Sequence, residues 1–200
     1  MASTTHPAIP TDHPTTAETG EVVAEIDAAI ERRTEYAMSP EPNLIAAMLR
    51  LTQHEATDIL TLVRAEDFQN YDCRAIYVLI RVLVQQRHRD PTPQAVTALA
   101  ISLDTKLTAE FHLTAHRITM RVAEIYTLGN PLTPWASAEH VVEDSYRRRF
   151  ITTGTRMAQM GEAHAPIRDL ERTTGTALRQ WRKERTRLAA ITERATHPRP

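Results

Sequence analysis

Residues 66–96, EDFQNYDCRAIYVLIRVLVQQRHRDPTPQAV, decide the fold of this chain. From Tyr71 onward they continue for about fifteen residues without Gly or Pro, which is longer than a typical strand. Apolar residues cover nearly all sides of a helix here, as is typical of a buried helix. The main stripe comprises Ile76, Leu79, Ile80, Leu83 and Val84. The pattern predicts the central helix of an all-α head, with Asp72 as its N-cap and the charged residues 87–90 before Pro91 as its exit.

The composition fits a globular intracellular protein. The 200 residues are 42% apolar, which is enough for the core of one or two domains. The net charge is −1, but residues 1–138 carry 11 basic and 17 acidic side chains, whereas residues 139–200 carry 13 and 8. A single cysteine, Cys73, excludes an internal disulfide. With no signal-like N-terminus and no bilayer-length apolar run, we expect a cytoplasmic protein that does not enter membranes.

Residues 1–41 are predicted to be a flexible N-terminal tail with one short helix. Residues 1–20 are rich in Thr, Pro and Ala, a composition typical of disorder. Apolar residues then recur at helical spacing within residues 21–37: Val22, Val23, Ile26 and Ile30. This amphipathic helix packs on the body of the protein or docks on a partner. The Pro-Glu-Pro sequence at residues 40–42 separates it from the predicted head.

Residues 42–130 are predicted to form a small helical head. Two apolar clusters mark its first helices: Leu44, Ile45, Met48 and Leu49, then Ala56, Ile59, Leu60 and Val63. Thr92 followed by Pro93 is a helix start, with an N-cap and proline at the first helical position. Thr108 is expected to cap the last helix of the head and Gly129 to end it. The apolar side of that helix would comprise Phe111, Ala115, Ile118, Val122 and Ile125.

Residues 131–195 are predicted to form a long antiparallel two-helix hairpin, followed by a disordered tail at residues 196–200. One helix opens at Thr133 and Pro134, and the other follows Pro166 with a rough heptad interrupted by Glu184. Because the link is so short, the helices must run antiparallel. Each would reach about 40 Å, so part of the hairpin must project from a small head.

A projecting hairpin cannot enclose its own apolar seam, which makes that seam a candidate interface with another chain. The candidate interface residues are Trp135, Val142, Tyr146, Phe150, Ile167, Leu170 and Trp181. The alternative is a compact bundle in which the head covers all of them.

Three motifs, taken in order, resemble the N-terminal domain of the bacterial replicative DNA helicases of the DnaB type, especially actinobacterial members. The first motif is Asp67-Phe68, followed at fixed spacing by Ile76-Tyr77 and by the helix opening at residues 91–97. The second is the break at residues 130–134. The third is VVEDSYRRRFITTGTRMAQMG at residues 141–161. The chain departs from the family at Cys73, where many members have His, and it lacks the glycines that usually follow the central helix.

The resemblance implies the docking collar of such a helicase without its motor. The family's ATPase would need a RecA-like domain with a G-x-x-x-x-G-K-[ST] loop, and these 200 residues contain no such sequence. In that family the hairpins pair, the dimers form a ring-shaped collar, and primase binds the collar. We therefore expect a non-catalytic replication accessory module that forms a dimer or higher homo-oligomer. Its expected partners are a replicative helicase, primase or helicase loader. A helicase fragment is a further hypothesis.

Other chemistry finds little support in the sequence. His112 and His116 are one helical turn apart, but no third metal ligand accompanies them. Adjacent carboxylates at a turn, such as Glu66 and Asp67, are typical of solvated or capping groups rather than an acid–base pair. Cys73 is expected to be buried rather than nucleophilic. We expect no catalytic, metal or cofactor site.

The main competing hypothesis is a small helical DNA-binding or regulatory protein. Arginines around the aromatic ring of Trp181 can hold phosphates and stack on bases. The candidate nucleic-acid contacts are Arg147, Arg148, Arg149, Arg179, Arg182 and Lys183. Interleaved acids, Asp169, Glu171 and Glu184, favour instead the solvated face of a long helix.

Overall fold

A computed structural model describes residues 27–31, 34, 38–130 and 134–197. These ranges are mostly helical and contain no strand, which confirms the all-α prediction. The elements are α1 (Pro40–Met48), α2 (Gln53–Leu62), a 3₁₀ turn (Ala65–Asp67), α3 (Tyr71–Arg81) with a π-helical continuation (Val82–Gln86), α4 (Pro93–Ser102), α5 (Asp104–Phe111), α6 (Ala115–Leu128), α7 (Pro134–Glu162) and α8 (Ile167–Thr196). The chain divides into two compact units, Met1–Glu35 and Tyr36–Pro200.

The first unit is described at residues 27–31 and 34, which are helical. Thr34 Oγ1 donates a hydrogen bond of 3.0 Å to the carbonyl of Ile30, one helical turn earlier. The predicted tail at residues 1–20 and the apolar residues Val22, Val23 and Ile26 lie outside the described residues. So do Thr133, the expected start of the hairpin, and most of the predicted tail at residues 196–200.

Helix α3 is the buried central helix that its apolar pattern predicts. Ile76, Tyr77 and Ile80 have no exposed surface. The Tyr77 hydroxyl donates a hydrogen bond of 2.7 Å to the carbonyl of Val63, and the ring packs on Phe68 with 4.8 Å between centroids. The polar atom of this buried side chain is therefore satisfied, and α3 is tied to the end of α2.

The predicted N-cap of α3 is wrong. Asn70, not Asp72, caps the helix, and its side chain accepts hydrogen bonds from the backbone N–H groups of Asp72 and Cys73. Asp72 instead binds Arg117 on α6, whose Nε and Nη2 each lie 3.1 Å from its carboxylate oxygens. Asn and Asp are equally good caps. Asn70 rather than Asp72 is the cap because Asp72 pairs with α6. The residues around Asp72 in the sequence do not show where α6 lies.

The single helix predicted over residues 108–129 is also wrong, because α5 and α6 are separate helices. His112 takes a left-handed backbone conformation, with φ of 53°, and this ends α5. The side chain of Thr114 then caps α6. The Asp104 carboxylate also accepts a 2.6 Å hydrogen bond from the N–H of Ala115. Apolar residues continue at helical spacing across this break, so periodicity alone does not reveal it.

The hairpin is confirmed as antiparallel. Early residues of α7 meet late residues of α8: Glu139 accepts a 2.6 Å hydrogen bond from Thr192, and Phe150 packs on Trp181. The helices have 29 and 30 residues, so each is about 45 Å long. The first part of α7 packs against α1. Along α7, which is described throughout, the buried residues end at Ser145, and Arg148 and Arg149 still contact the 3₁₀ turn of the head. The part of α7 after these residues extends beyond the head.

Gly129 ends α6 as predicted, but not because glycine is needed for a left-handed turn. Its φ is −70°, which any residue can adopt. A Cβ atom at this position would lie 2.5 Å from Cβ of Ala46 on α1 and 2.7 Å from the carbonyl oxygen of Ile125. Glycine is required because α1 and the end of α6 come into direct contact.

Gly129→Ala should lower the free energy of unfolding by about 1–3 kcal/mol, the usual cost of overpacking. The matched control is Gly154→Ala within α7, where no described atom lies within 4 Å of an added Cβ. It should raise stability by up to about 1 kcal/mol, because Ala has the higher helix propensity. Urea unfolding of the two variants measures both effects. Equal stability changes would contradict the close contact.

Candidate docking surfaces on the hairpin

A cluster of charged side chains joins the hairpin to the head. Asp67 in the 3₁₀ turn has no exposed surface, and Glu184 on α8 is 3% exposed. Between them lies Arg187, whose Nη1 is 2.5 Å from Asp67 Oδ2 and whose Nη2 also contacts Glu184. Arg149 on α7 reaches the same two carboxylates, at 2.7 Å from Glu184 and 3.5 Å from Asp67. Three separate parts of the chain thus meet at one ion network.

Further hydrogen bonds complete this network. The Asp67 carboxylate accepts from the Ser145 hydroxyl at 3.0 Å and from the backbone N–H of Arg64 at 2.8 Å. The Arg64 side chain lies 3.4 Å from Glu184, and Arg148 donates to the backbone carbonyl of Asp67 at 2.6 Å. We call the charged members the anchor cluster: Arg64, Asp67, Arg148, Arg149, Glu184 and Arg187.

The environment keeps Arg187 charged. Burial by itself lowers the pKa of its guanidinium group, but the hydrogen bonds and charges of Asp67 and Glu184 outweigh burial and raise the pKa above the ordinary value. A buried charge is tolerated where it is paired and hydrogen-bonded. Arg187 meets this condition, and it also donates a hydrogen bond of 3.1 Å to the carbonyl of Leu62.

Sequence reasoning found only part of the anchor cluster. Asp67 does act as a capping group, as expected of the Glu66–Asp67 pair, but it is buried whereas Glu66 is exposed. Glu184, which the heptad pattern treats as an interruption, is the second buried carboxylate. The available signal was a charged pair, Glu184 and Arg187, at i,i+3 spacing on the side of α8 that carries Ile191.

Three of the six candidate nucleic-acid contacts bind carboxylates or a backbone carbonyl within the chain. Arg147 pairs with Glu143 at 2.6 Å and with Asp144 at 3.5 Å. Arg148 and Arg149 belong to the anchor cluster. The remaining three are exposed on α8: Arg179, Arg182 and Lys183. Arg147 and Arg149, whose guanidinium groups are paired with carboxylates, are therefore less available to phosphates than the sequence indicates.

The candidate interface residues fall into three groups. Phe150 and Ile167 are 50% and 74% exposed, so the head does not cover them. Four are half-buried: Trp135, Tyr146, Leu170 and Trp181. Val142 has no exposed surface and lies in the core of the chain, because this part of α7 packs against α1. Val142 therefore offers no surface to a partner.

Two further exposed apolar residues lie on the hairpin, Ile151 at 66% and Leu178 at 45% exposure. Neither residue is among the candidate interface residues that the sequence indicates. Leu178 and Ile167 are three helical turns apart, so they share one face of α8. Phe150 lies beside that face, because its ring packs on Trp181 with 4.7 Å between centroids. We call Phe150, Ile151, Ile167 and Leu178 the exposed apolar set.

A groove of about 420 Å³ lies between α7 and α8 next to the anchor cluster. Its surface is mostly apolar, with guanidinium groups among the lining side chains. The lining residues are Tyr146, Arg148, Arg149, Thr152, Thr153, Ala177, Gln180, Trp181 and Glu184. We call this the hairpin groove. Its lining shares no residue with the exposed apolar set, but the two surfaces adjoin where Phe150 packs on Trp181.

Other candidate chemistry is sparse in the described residues. These residues include no group of three or more His, Cys, Asp or Glu side chains that could hold a metal ion. His112 ends α5 and His116 lies in the first turn of α6, so the two are not on one helix. Cys73 is fully buried. A search of the same part of the chain finds no helix with the length and hydropathy needed to cross a membrane.

The head and hairpin together define a class of all-α domain, in which a helical head is bound to the base of a projecting two-helix hairpin. The chain is similar in this respect to the crystal structure of the N-terminal domain of DnaB helicase from Mycobacterium tuberculosis. The two are 22% identical, with a TM-score of 0.57, and the match covers 70% of this chain and 94% of that chain. The predicted fold is thereby confirmed. No family model and no curated protein matches the sequence.

Cys73 should resist thiol reagents in the folded protein. Burial raises the pKa of its thiol, and the negative charges of Glu41 and Asp72 add to the effect. Because the thiolate is the reactive form, iodoacetamide should label the folded protein far more slowly near neutral pH than the protein in guanidinium chloride. Mass spectrometry over time measures both rates. Equal rates would show that Cys73 is accessible in the native state.

Arg187→Ala should lower the free energy of unfolding by about 3–5 kcal/mol, because it removes the buried guanidinium group between two buried carboxylates and leaves them only the partly exposed Arg149 as a shared partner. Arg147→Ala, which removes an exposed ion pair on α7, is the control and should change it by no more than about 1 kcal/mol. Urea titrations provide the comparison. If the two losses were the same, the anchor cluster would not be what joins the hairpin to the head.

Proposed function

We propose that this protein is a non-catalytic accessory module of DNA replication. It self-associates through the hairpin and docks onto a replicative helicase, primase or helicase loader. One observation carries the proposal: the hairpin extends beyond the head and leaves Phe150, Ile151, Ile167 and Leu178 in solvent. Several large exposed apolar side chains on one projection are typical of a protein–protein contact surface.

The geometry of the hairpin favours a second copy as the first partner. Two helices bury the sides that face each other, and beyond Ser145 the head covers no residue of α7 completely. Met157 and Met160 remain half-buried on the seam as a result. Pairing with the hairpin of another copy would place four helices around one core, which is the usual way to enclose such a seam. Homodimers of this kind most often have twofold symmetry.

The buried charges also favour a binding role over catalysis. The buried carboxylates of Asp67 and Glu184 are held by arginines that join parts of the chain. Cys73, the one thiol in the sequence, lies in the core with a raised pKa. The carboxylates specify how the hairpin meets the head, and the thiol belongs to the core. The helicase partner is proposed because the chain shares the fold of a helicase domain.

The basic residues give a DNA-binding role less support. Arg147 is paired with carboxylates, and Arg148 and Arg149 bind groups of the anchor cluster. The exposed cations of α8 remain as the basis of that alternative. It would be supported by binding to single-stranded or duplex DNA that weakens steeply as salt is added.

The first test is the mass in solution, measured by light scattering over a concentration series. The wild type should be a dimer or higher oligomer. Ile167→Asp/Leu178→Asp should shift it to a folded monomer, because each aspartate would be desolvated at the interface. Both side chains are well exposed within the chain, so the substitutions leave the fold intact.

The matched control is Ile101→Asp/Met120→Asp on the head, at 63% and 60% exposure. It should retain the wild-type mass. Partner docking is then measured by co-elution of the wild type with a purified replicative helicase, primase or loader. A wild-type monomer that co-elutes with none of these proteins would overturn the proposal.

A further inference from the structure

The anchor cluster is not electrically balanced. It contains four guanidinium groups and two carboxylates, so it has an excess of two positive charges. The Nε atom of Arg187 is buried and has no hydrogen-bond acceptor among the residues that the structure describes. A low-dielectric environment strengthens the attraction of such groups for an anion.

The hairpin groove gives access to this excess charge. Arg148 and Arg149 are among its lining residues, and the side chain of Arg149 is 30% exposed. Tyr146 and Trp181 supply aromatic surface, and Ala177 is a buried part of the lining. A volume of about 420 Å³ accommodates one large side chain with its neighbouring groups. The groove therefore combines an apolar space with cationic hydrogen-bond donors, and the one carboxylate in its lining, Glu184, is already paired with Arg149 and Arg187.

We propose that the hairpin groove binds an acidic segment of a partner protein. One aromatic or large apolar side chain of that segment enters the groove, and an adjacent carboxylate binds Arg148, whose Nε and Nη1 make no hydrogen bond with the described residues, beside Arg149. Guanidinium groups recognise carboxylates through paired, charge-assisted hydrogen bonds. This inference rests on the docking role proposed above. The groove and the exposed apolar set share no residue, although Phe150 of that set packs on Trp181 of the lining.

The geometry favours a peptide over a nucleic-acid strand. Sites for single strands present cations in series along a track, with open aromatic faces on which successive bases stack. Here Phe150 packs against the ring of Trp181, which limits stacking. The neighbouring Arg147 is paired with Glu143 and Asp144. The groove suits one anchoring side chain with a flanking acid.

The probe is the synthetic peptide acetyl-Glu-Glu-Phe-Glu-Glu-amide, and the readout is the indole N–H signals in NMR spectra of isotope-labelled protein. The chain has two tryptophans, which Trp135→Phe assigns. The peptide should shift the Trp181 signal in a saturable manner. Trp135, which lies near Arg194 rather than in the groove, should not respond. A peptide with Ala in place of Phe, or Lys in place of Glu, should bind at least about tenfold more weakly.

Three variants test the groove itself. Thr153→Phe fills it without altering any charge and should abolish the shift. Arg148→Gln should weaken binding by about tenfold or more, because a charge-assisted hydrogen bond is lost. Arg156→Gln is the matched control, since Arg156 is an exposed arginine of α7 outside the lining, and it should bind like the wild type.

Absence of a saturable Trp181 shift would overturn the proposal, as would equal weakening by Arg148→Gln and Arg156→Gln. If oligothymidylate displaced the peptide and bound more tightly, the groove would be a nucleic-acid site instead. The titration is repeated on Ile167→Asp/Leu178→Asp, which keeps the groove intact. Peptide binding by a monomer would support the groove even if self-association failed. An oligomer that does not bind the peptide would overturn the groove alone.

Discussion

The contact of Arg187 with Asp67 and Glu184 is the interaction on which the rest of the structure depends. Asp67 belongs to the turn that leads into α3, and Glu184 and Arg187 lie on α8. Arg149 adds α7 to the same network. A buried ion network adds little net stability, but an unmatched partner in it is costly. The arrangement therefore specifies how the hairpin meets the head more than how stable the protein is.

Close packing around α1 fixes the other side of this junction. Leu44, Ile45 and Met48 are completely buried, and α1 contacts α3, α6 and α7. Gly129 permits the approach of α6 because it has no Cβ atom. With its base held by both packing and charge, the hairpin presents its exposed apolar residues and its groove in one defined orientation. Surfaces positioned in this way are suited to recognition of another protein.

Local patterns predicted much of the fold. Apolar residues on nearly all sides of α3 predict a buried helix. The short link near Pro166 predicts an antiparallel hairpin. The cap of α3 and the break at His112 were predicted wrongly, because Asp72 has a distant partner and the apolar spacing crosses the break. Glu184 was misinterpreted for a similar reason. Its partners Arg64 and Arg149 are far away in sequence.

Contacts between residues that are far apart in the sequence also limit how much of the docking surfaces could be predicted. Phe150 follows from the apolar side of α7 and Ile167 from the heptad of α8, and both are exposed. Leu178 lies outside the heptad, and the groove exists only once two helices and the anchor cluster are assembled. Val142 has the same apolar character as its neighbours but lies in the buried core, and sequence periodicity does not separate buried from exposed apolar positions on α7.

The anchor cluster also constrains how this sequence can drift over evolutionary time. Substitution of Asp67, Glu184 or Arg187 alone leaves an unmatched charge in the interior. Replacement of all three by apolar residues of similar volume would remove the buried charges together, and Arg149, which pairs with both carboxylates, would then have to change as well. The three positions are thus expected to covary among homologues. A lineage that abandons the network must cross a destabilised intermediate or change several codons in close succession.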